Sequence, residues 1–120
     1  MKDEKYRNLA VRTKVFALRV INFYSTLSRS TVAQVLGRRL LCSTTSVGAQ
    51  YREANRGKST ADFISKIEGS LQELDETGYW LELLAESNTG SSVELRWLMT
   101  ETGELISIFV TVVKSAKKSS

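Results

Sequence analysis

Residues 43–84, STTSVGAQYREANRGKSTADFISKIEGSLQELDETGYWLELL, read as the end of one helix, a tight glycine-containing turn and a long second helix. The long helix is the clearest in the chain. From Thr60 to about Glu86, the residues Phe63, Ile67, Leu71, Leu74, Gly78, Leu81 and Ala85 step by four, four, three, four, three and four, a heptad-like seam. Ahead of it, Asn55-Arg56-Gly57-Lys58 supplies a glycine for a left-handed residue just beyond a helix. Ser59 followed by Asp62 resembles a capping box with Asp in place of Glu. So short a connection leaves no room for a crossover, so the two helices are expected to be antiparallel neighbours.

Away from the seam, the same helix carries Gly69, Glu73, Glu76 and Trp80. A solvent-facing helix seldom combines a glycine and a tryptophan on one side. Burying a large apolar side chain is worth roughly 1.5–3 kcal/mol, so this face is expected to be covered.

Working back toward the N-terminus, the preceding helix is expected over 31–54, with Ser30 or Thr31 capping it. Its core stripe reads Val32, Leu36, Leu40, Val47 and Tyr51. The middle, CSTTSVGA, is rich in small side chains, which either let neighbouring backbones approach closely or mark a weak helix held by packing. Close approach is the favoured reading. A first helix is expected over about 3–27, with Leu9, Phe16, Val20, Phe23 and Leu27 on one face. A second stripe, Val11, Val15 and Leu18, projects roughly 130° away at about 100° per residue. It is either the edge of one broad core stripe or a subunit interface.

Beyond Glu86, the linker SNTGSS leads into a fourth helix expected over about 93–118, with Leu95, Leu98, Thr102, Leu105, Phe109, Val112 and Ala116 on one side. The β-branched run from Ile106 to Val113 could support a strand, but no second strand-like segment exists to pair with it. The terminal KSAKKSS is expected to fray in solvent. These elements make an all-α, antiparallel, up-down-up-down four-helix bundle occupying the whole chain as a single domain, 1–120.

Composition limits the chemistry. There is no proline, and 42% of residues are hydrophobic with 25% charged, as suits uninterrupted helices. The chain has one cysteine and no histidine, so neither an internal disulfide nor an imidazole-based nucleophile system is available. Cys42 reads as a small buried filler rather than a nucleophile. Glu73 and Glu76 could form an acid-base pair, but paired helical carboxylates are far more often structural, and no enzyme, cofactor or metal is expected. The longest apolar stretch, Leu105 to Val113, is too short to span a bilayer. The start, MKDEKYRNLAV, lacks a secretory pattern, and the cytoplasm is the expected location.

The net charge of +4 conceals an asymmetry. Residues 1–58 hold twelve Lys or Arg against Asp3, Glu4 and Glu53, a balance of +9. Residues 59–113 hold Lys66 and Arg96 against ten acids, a balance of −8. Such a pattern suggests either a polyanionic partner or basic-to-acidic contact between subunits.

The stretch quoted above, extended back to Leu40, resembles the central signature of the four-helix-bundle family named after proteins encoded in intervening sequences of 23S ribosomal RNA genes, also labelled S23 ribosomal proteins. The resemblance rests on Ser46-Val47-Gly48-Ala49, Tyr51-Arg52-Glu53-Ala54, Ser59 with Phe63, Glu73 with Asp75-Glu76-Thr77, and Tyr79-Trp80-Leu81-Glu82. With LAVRTKVFALRVINFY before and LISIFVTVVKSAKK after, it covers nearly the whole chain. The chain departs from the family pattern at Cys42 and Gln50, where members often carry Arg and Asn. The resemblance implies a left-handed bundle that assembles as a ring, typically a homopentamer, and kinship with the accessory variability determinant of diversity-generating retroelements, which binds nucleic acid and a reverse transcriptase.

Two functions follow as expectations. In the first, a homo-oligomeric accessory protein binds RNA or DNA with little sequence selectivity, through Arg12, Arg19, Arg29, Arg38, Arg39, Arg52, Arg56 and Lys58. In the second, the ring is purely structural or protein-binding, with Val11, Val15, Leu18, Gly69, Glu73, Glu76 and Trp80 between subunits. Those acids could instead pair within their own chain.

Overall fold

The computed structural model describes residues 9–119, which form four α-helices: α1 (Leu9–Ser25), α2 (Thr31–Asn55), α3 (Thr60–Glu86) and α4 (Ser92–Ser119). Among the described residues there is no strand. The expected start of α1 near Asp3 lies outside them. At its other end, α1 stops at Ser25, where the Thr26 and Leu27 amides turn back onto the Phe23 and Tyr24 carbonyls.

Consecutive helices pack on one another, and α1 also meets α4, less closely. Residues paired across neighbours run in opposite senses. Ser43 meets Thr77 while the Val47 carbonyl meets Ser70, and Arg12 meets Glu101 while Arg19 meets Glu94. The result is an all-α four-helix bundle around Phe16, Leu40, Ile67, Leu74, Leu105 and Phe109, all fully buried. Tyr51 stacks on Phe109 with ring centroids 5.9 Å apart.

Buried threonines are accommodated because each hydroxyl donates to its own helix one turn back. Thr13 bonds the Leu9 carbonyl at 2.7 Å, Thr44 that of Leu40 at 2.9 Å and Thr102 that of Leu98 at 2.8 Å. Among the described residues, no buried side-chain nitrogen or oxygen lacks a partner.

The small residues in the middle of α2 serve close approach. Ser43 and Thr77 hydroxyls lie 2.7 Å apart across the α2–α3 contact, and the Ser70 hydroxyl donates to the Val47 carbonyl at 3.0 Å. A side chain at Gly48 would come within 3.1 Å of the Thr13 hydroxyl of α1. Bulkier residues at these points would push the helices apart.

Four expectations need correction. Val32 is 53% exposed, because the phase of α2 is set by Leu40 and Val47, which align with Ala33 and Gly37 and leave Val32 on the flank. Cys42 is exposed, not a core filler. Gly57 does not take a left-handed conformation; its amide donates to the Ala54 carbonyl, and a Cβ there would meet Asp62 Oδ2 at 3.0 Å. Left-handed residues sit instead beyond the end of α3, at Asn88 (φ 53°) and Gly90 (φ 92°); there the Asn88 amide reaches the Ala85 carbonyl and the Thr89 amide the Leu84 carbonyl, a Schellman ending. The tail, finally, stays helical through Ser119.

Caps define the helix starts. Ser30 accepts from the Ala33 amide, Ser59 from the Asp62 amide and Ser91 from the Glu94 amide. Asp62 reaches back to the Lys58 amide at 3.3 Å, one residue before the usual capping-box donor.

Candidate functional site

Between α2 and α3 lies an open groove of about 490 Å³. From α2 it takes Val35, Arg38, Arg39, Cys42 and Ser46, and from α3 Glu73, Glu76 and Trp80. The buried Ser43–Thr77 hydroxyl pair lies between the two helices at this level. The seam of α3 faces the core while this second side forms one groove wall, which explains a tryptophan outside the core stripe. The Arg39 guanidinium sits over the Trp80 ring, 5.6 Å from its centroid. Arg38 Nε donates to the Gln34 carbonyl at 3.3 Å.

The acids are placed differently. Among the described residues, no basic group lies within ion-pair distance of Glu73 or Glu76. Partial burial, then the charge of Glu76, raise the Glu73 carboxyl above its usual range. The groove thus holds two uncompensated carboxylates at one end and an aromatic-capped arginine at the other. Such a surface can seat an apolar guest carrying a cation. Gly69 lies off the groove: its α-carbon faces Gln50 of α2, whose amide occupies the space of a side chain.

On another flank, α1 presents Val11, Val15 and Leu18 to solvent at 61%, 42% and 53% exposure. The stripe stands clear of the core line of Phe16, Val20 and Phe23, so it is a separate face and not the edge of a broad one. Ile21, also exposed, extends it, and Lys14 lies within it at helical spacing from Val11 and Leu18.

The basic residues expected to contact phosphate do not act as one set. Arg12 and Arg19 are committed within the chain. Arg12 Nε and Nη2 hold Glu101 at 2.8 and 2.9 Å, with Nη2 also on Glu104, and Arg19 holds Glu94 in the same two-point manner. Both guanidinium pKa values are raised, chiefly by these hydrogen bonds. Arg19 also lies over the Trp97 ring at 3.9 Å. These long side chains fill the wider α1–α4 junction. Arg38 and Arg39 line the groove, and Arg52 borders a shallow α1–α2 hollow together with Lys14. Arg29 precedes α2 and Arg56 and Lys58 follow it, about 37 Å apart for a helix of this length.

Sequence reasoning missed Val35, Cys42 and Ser46 as groove residues and Ile21 and Lys14 as part of the α1 face. The signal was present: 35, 39, 42 and 46 step by four, three and four, a second seam on α2. Among the described residues, no group of three or more Cys, Asp or Glu could hold a metal ion, and no helix is long and apolar enough to cross a membrane.

Comparison with known proteins places this geometry. A crystal structure of a protein with unknown function from the S23 ribosomal protein family of Bacteroides thetaiotaomicron superposes with a TM-score of 0.81 at 32% identity, covering 88% of this chain and 97% of that one. No curated protein matches. The family model for the 23S rRNA-intervening sequence protein matches residues 7–111. The chain belongs to the 23S rRNA-intervening sequence protein family.

Proposed function

We propose that this chain is a non-catalytic subunit of a cytoplasmic accessory assembly, an up-down-up-down bundle whose copies join head to tail into a homo-oligomeric ring. The observation behind it is the coexistence of two unlike surfaces: the solvent-exposed Val11, Val15 and Leu18 on α1, and the groove whose Glu73 and Glu76 have no ion-pair partner among the described residues. A contact between unlike surfaces leaves one of each free on every copy, so it propagates until a ring closes. The family resemblance supports five copies. Light scattering during size-exclusion chromatography tests this reading. A mass several times 13.4 kDa is expected, and a single-chain particle at micromolar concentration would overturn it.

Nucleic-acid binding by the ring is a second reading. In its favour, Arg29, Arg38, Arg39, Arg52, Arg56 and Lys58 are not paired with a carboxylate among the described residues. A ring multiplies such dispersed cations, and contacts to phosphate alone give binding without sequence selectivity. An anisotropy titration with RNA and DNA over a salt series checks it: affinity should fall steeply with salt, and no binding at low salt removes the reading. A reverse transcriptase as the partner of such a ring rests on the resemblance to the accessory variability determinant.

A further inference from the structure

We infer that the α2–α3 groove receives the outer face of α1 from a second copy of this chain, with Lys14 of that copy between Glu73 and Glu76 and its Leu18 toward Trp80. This deepens the ring reading and rests on it. Lengths agree: Val11 to Ile21 spans about 15 Å of helix and Val35 to Ser46 about 16 Å. Chemistry agrees as well. The α1 face is apolar with one central cation, Lys14, which has no ion-pair partner among the described residues. The groove offers Val35, Cys42 and Trp80 as apolar contacts among its polar lining, and its two carboxylates have no cation within ion-pair distance among the described residues.

Charge fixes the direction. Along α3 the acids at 73 and 76 precede Trp80, and the pairing of Ser43 with Thr77 and Ser70 with Val47 puts Ser46 near the acid end and Val35 near the tryptophan end. Running the incoming α1 parallel to α3 sets Lys14 against the acids and Leu18 and Ile21 beside Trp80 and Val35. The opposite direction would bring Lys14 to Arg38 and Arg39, which repel it. Cys42, exposed in the middle of the groove, then lies nearest the incoming Val15 and Leu18.

That native thiol supplies the test. Val15→Cys and Leu18→Cys are made separately in the full chain, with Ser107→Cys on the exposed side of α4 as the control, and each is oxidised under mild conditions after its mass is measured by light scattering. Docking as inferred gives intermolecular disulfides to Cys42, seen as a ladder on non-reducing gels, from at least one α1 variant and not from the control or the unmodified chain. An intact oligomer with no ladder from either α1 variant overturns this docking and leaves the ring standing. A single-chain mass overturns both. Because positions 15 and 18 are exposed, the cysteines leave the core untouched.

Discussion

Arg12 grips Glu101 from 89 residues away with two hydrogen bonds of 2.8 and 2.9 Å, and these side chains retain only 24% and 12% of their exposure. The same guanidinium also reaches Glu104, so one arginine ties the first turns of α1 to α4, where the helices approach each other less closely than the other neighbours do. Two-point arginine pairs exceed the usual worth of surface ion pairs, so Arg12→Ala is expected to cost about 1.5 kcal/mol. Arg12→Lys should recover less than half of that, since an ammonium cannot reproduce the fork. Urea denaturation at fixed protein concentration measures both, and equal stabilities for Lys and Arg at this position would show the fork to be irrelevant.

The raised Glu73 carboxyl makes a directional pH prediction. Its folded-state pKa lies above its unfolded value because burial, and then Glu76, disfavour the charge. The folded chain therefore holds this proton more tightly. Glu73 costs stability above its folded-state pKa, and the cost disappears as pH falls through that value toward the ordinary carboxylate range. The groups facing it, Glu76 on α3 with Arg38, Arg39 and Cys42 across the groove, remain in both Glu73→Gln and the parent chain. The Gln variant is expected to be the more stable at pH 7, with the advantage shrinking as the solution is acidified toward pH 4. Chemical denaturation of dilute protein at stepped pH reads the difference; an advantage that grows on acidification would reverse the assignment.

Gly69 lies inside α3, where glycine normally weakens a helix by about 1 kcal/mol relative to alanine. A methyl group there would run into the Gln50 amide. Gly69→Ala is therefore expected to gain less in the parent chain, where the Gln50 side chain must swing aside, than the about 1 kcal/mol it gains once Gln50→Ala has emptied the space. The double-mutant cycle is measured by denaturation, and the same Gly69→Ala effect in both backgrounds would mean that the two positions are uncoupled.

How far the sequence could be read depended on how each residue is constrained. The α3 seam was legible because Ile67, Leu74 and Leu81 repeat at bundle spacing and each is fully buried. Val32 was misplaced because at the first turn of α2 nothing in the local spacing distinguishes core from flank; the phase is settled farther along by Leu40 and Val47. Gly57 and Asn88 show the same limit at turns, since the glycine is small for the sake of Asp62 while an asparagine takes the left-handed position. In the candidate site, the doubled faces of α1 and α3 could be read from periodicity. The partners of Arg12 and Arg19 could not, because their carboxylates arrive from α4, 75 or more residues away.

Reversal of charge separates contact between copies from packing within one. Lys14 is exposed and carries no ion pair among the described residues, so Lys14→Glu should leave the single bundle as stable as before. Facing Glu73 and Glu76 of another copy, however, it would set three like charges together, and the assembly should weaken at least tenfold in dissociation constant. Glu73→Lys with Glu76→Lys should weaken it similarly. Mixing the two variants should restore assembly, because every contact between unlike copies then joins opposite charges: the reversed α1 face meets the paired lysines, and the native Lys14 meets the native acids. Such copies must alternate around a ring, so a ring with an odd number of copies keeps one repelling contact. The triple variant, complementary to itself at every contact, should regain the parent mass. Sedimentation velocity distinguishes these species, with helical circular dichroism confirming that each chain is folded. An assembly unchanged by Lys14→Glu would place the contact elsewhere.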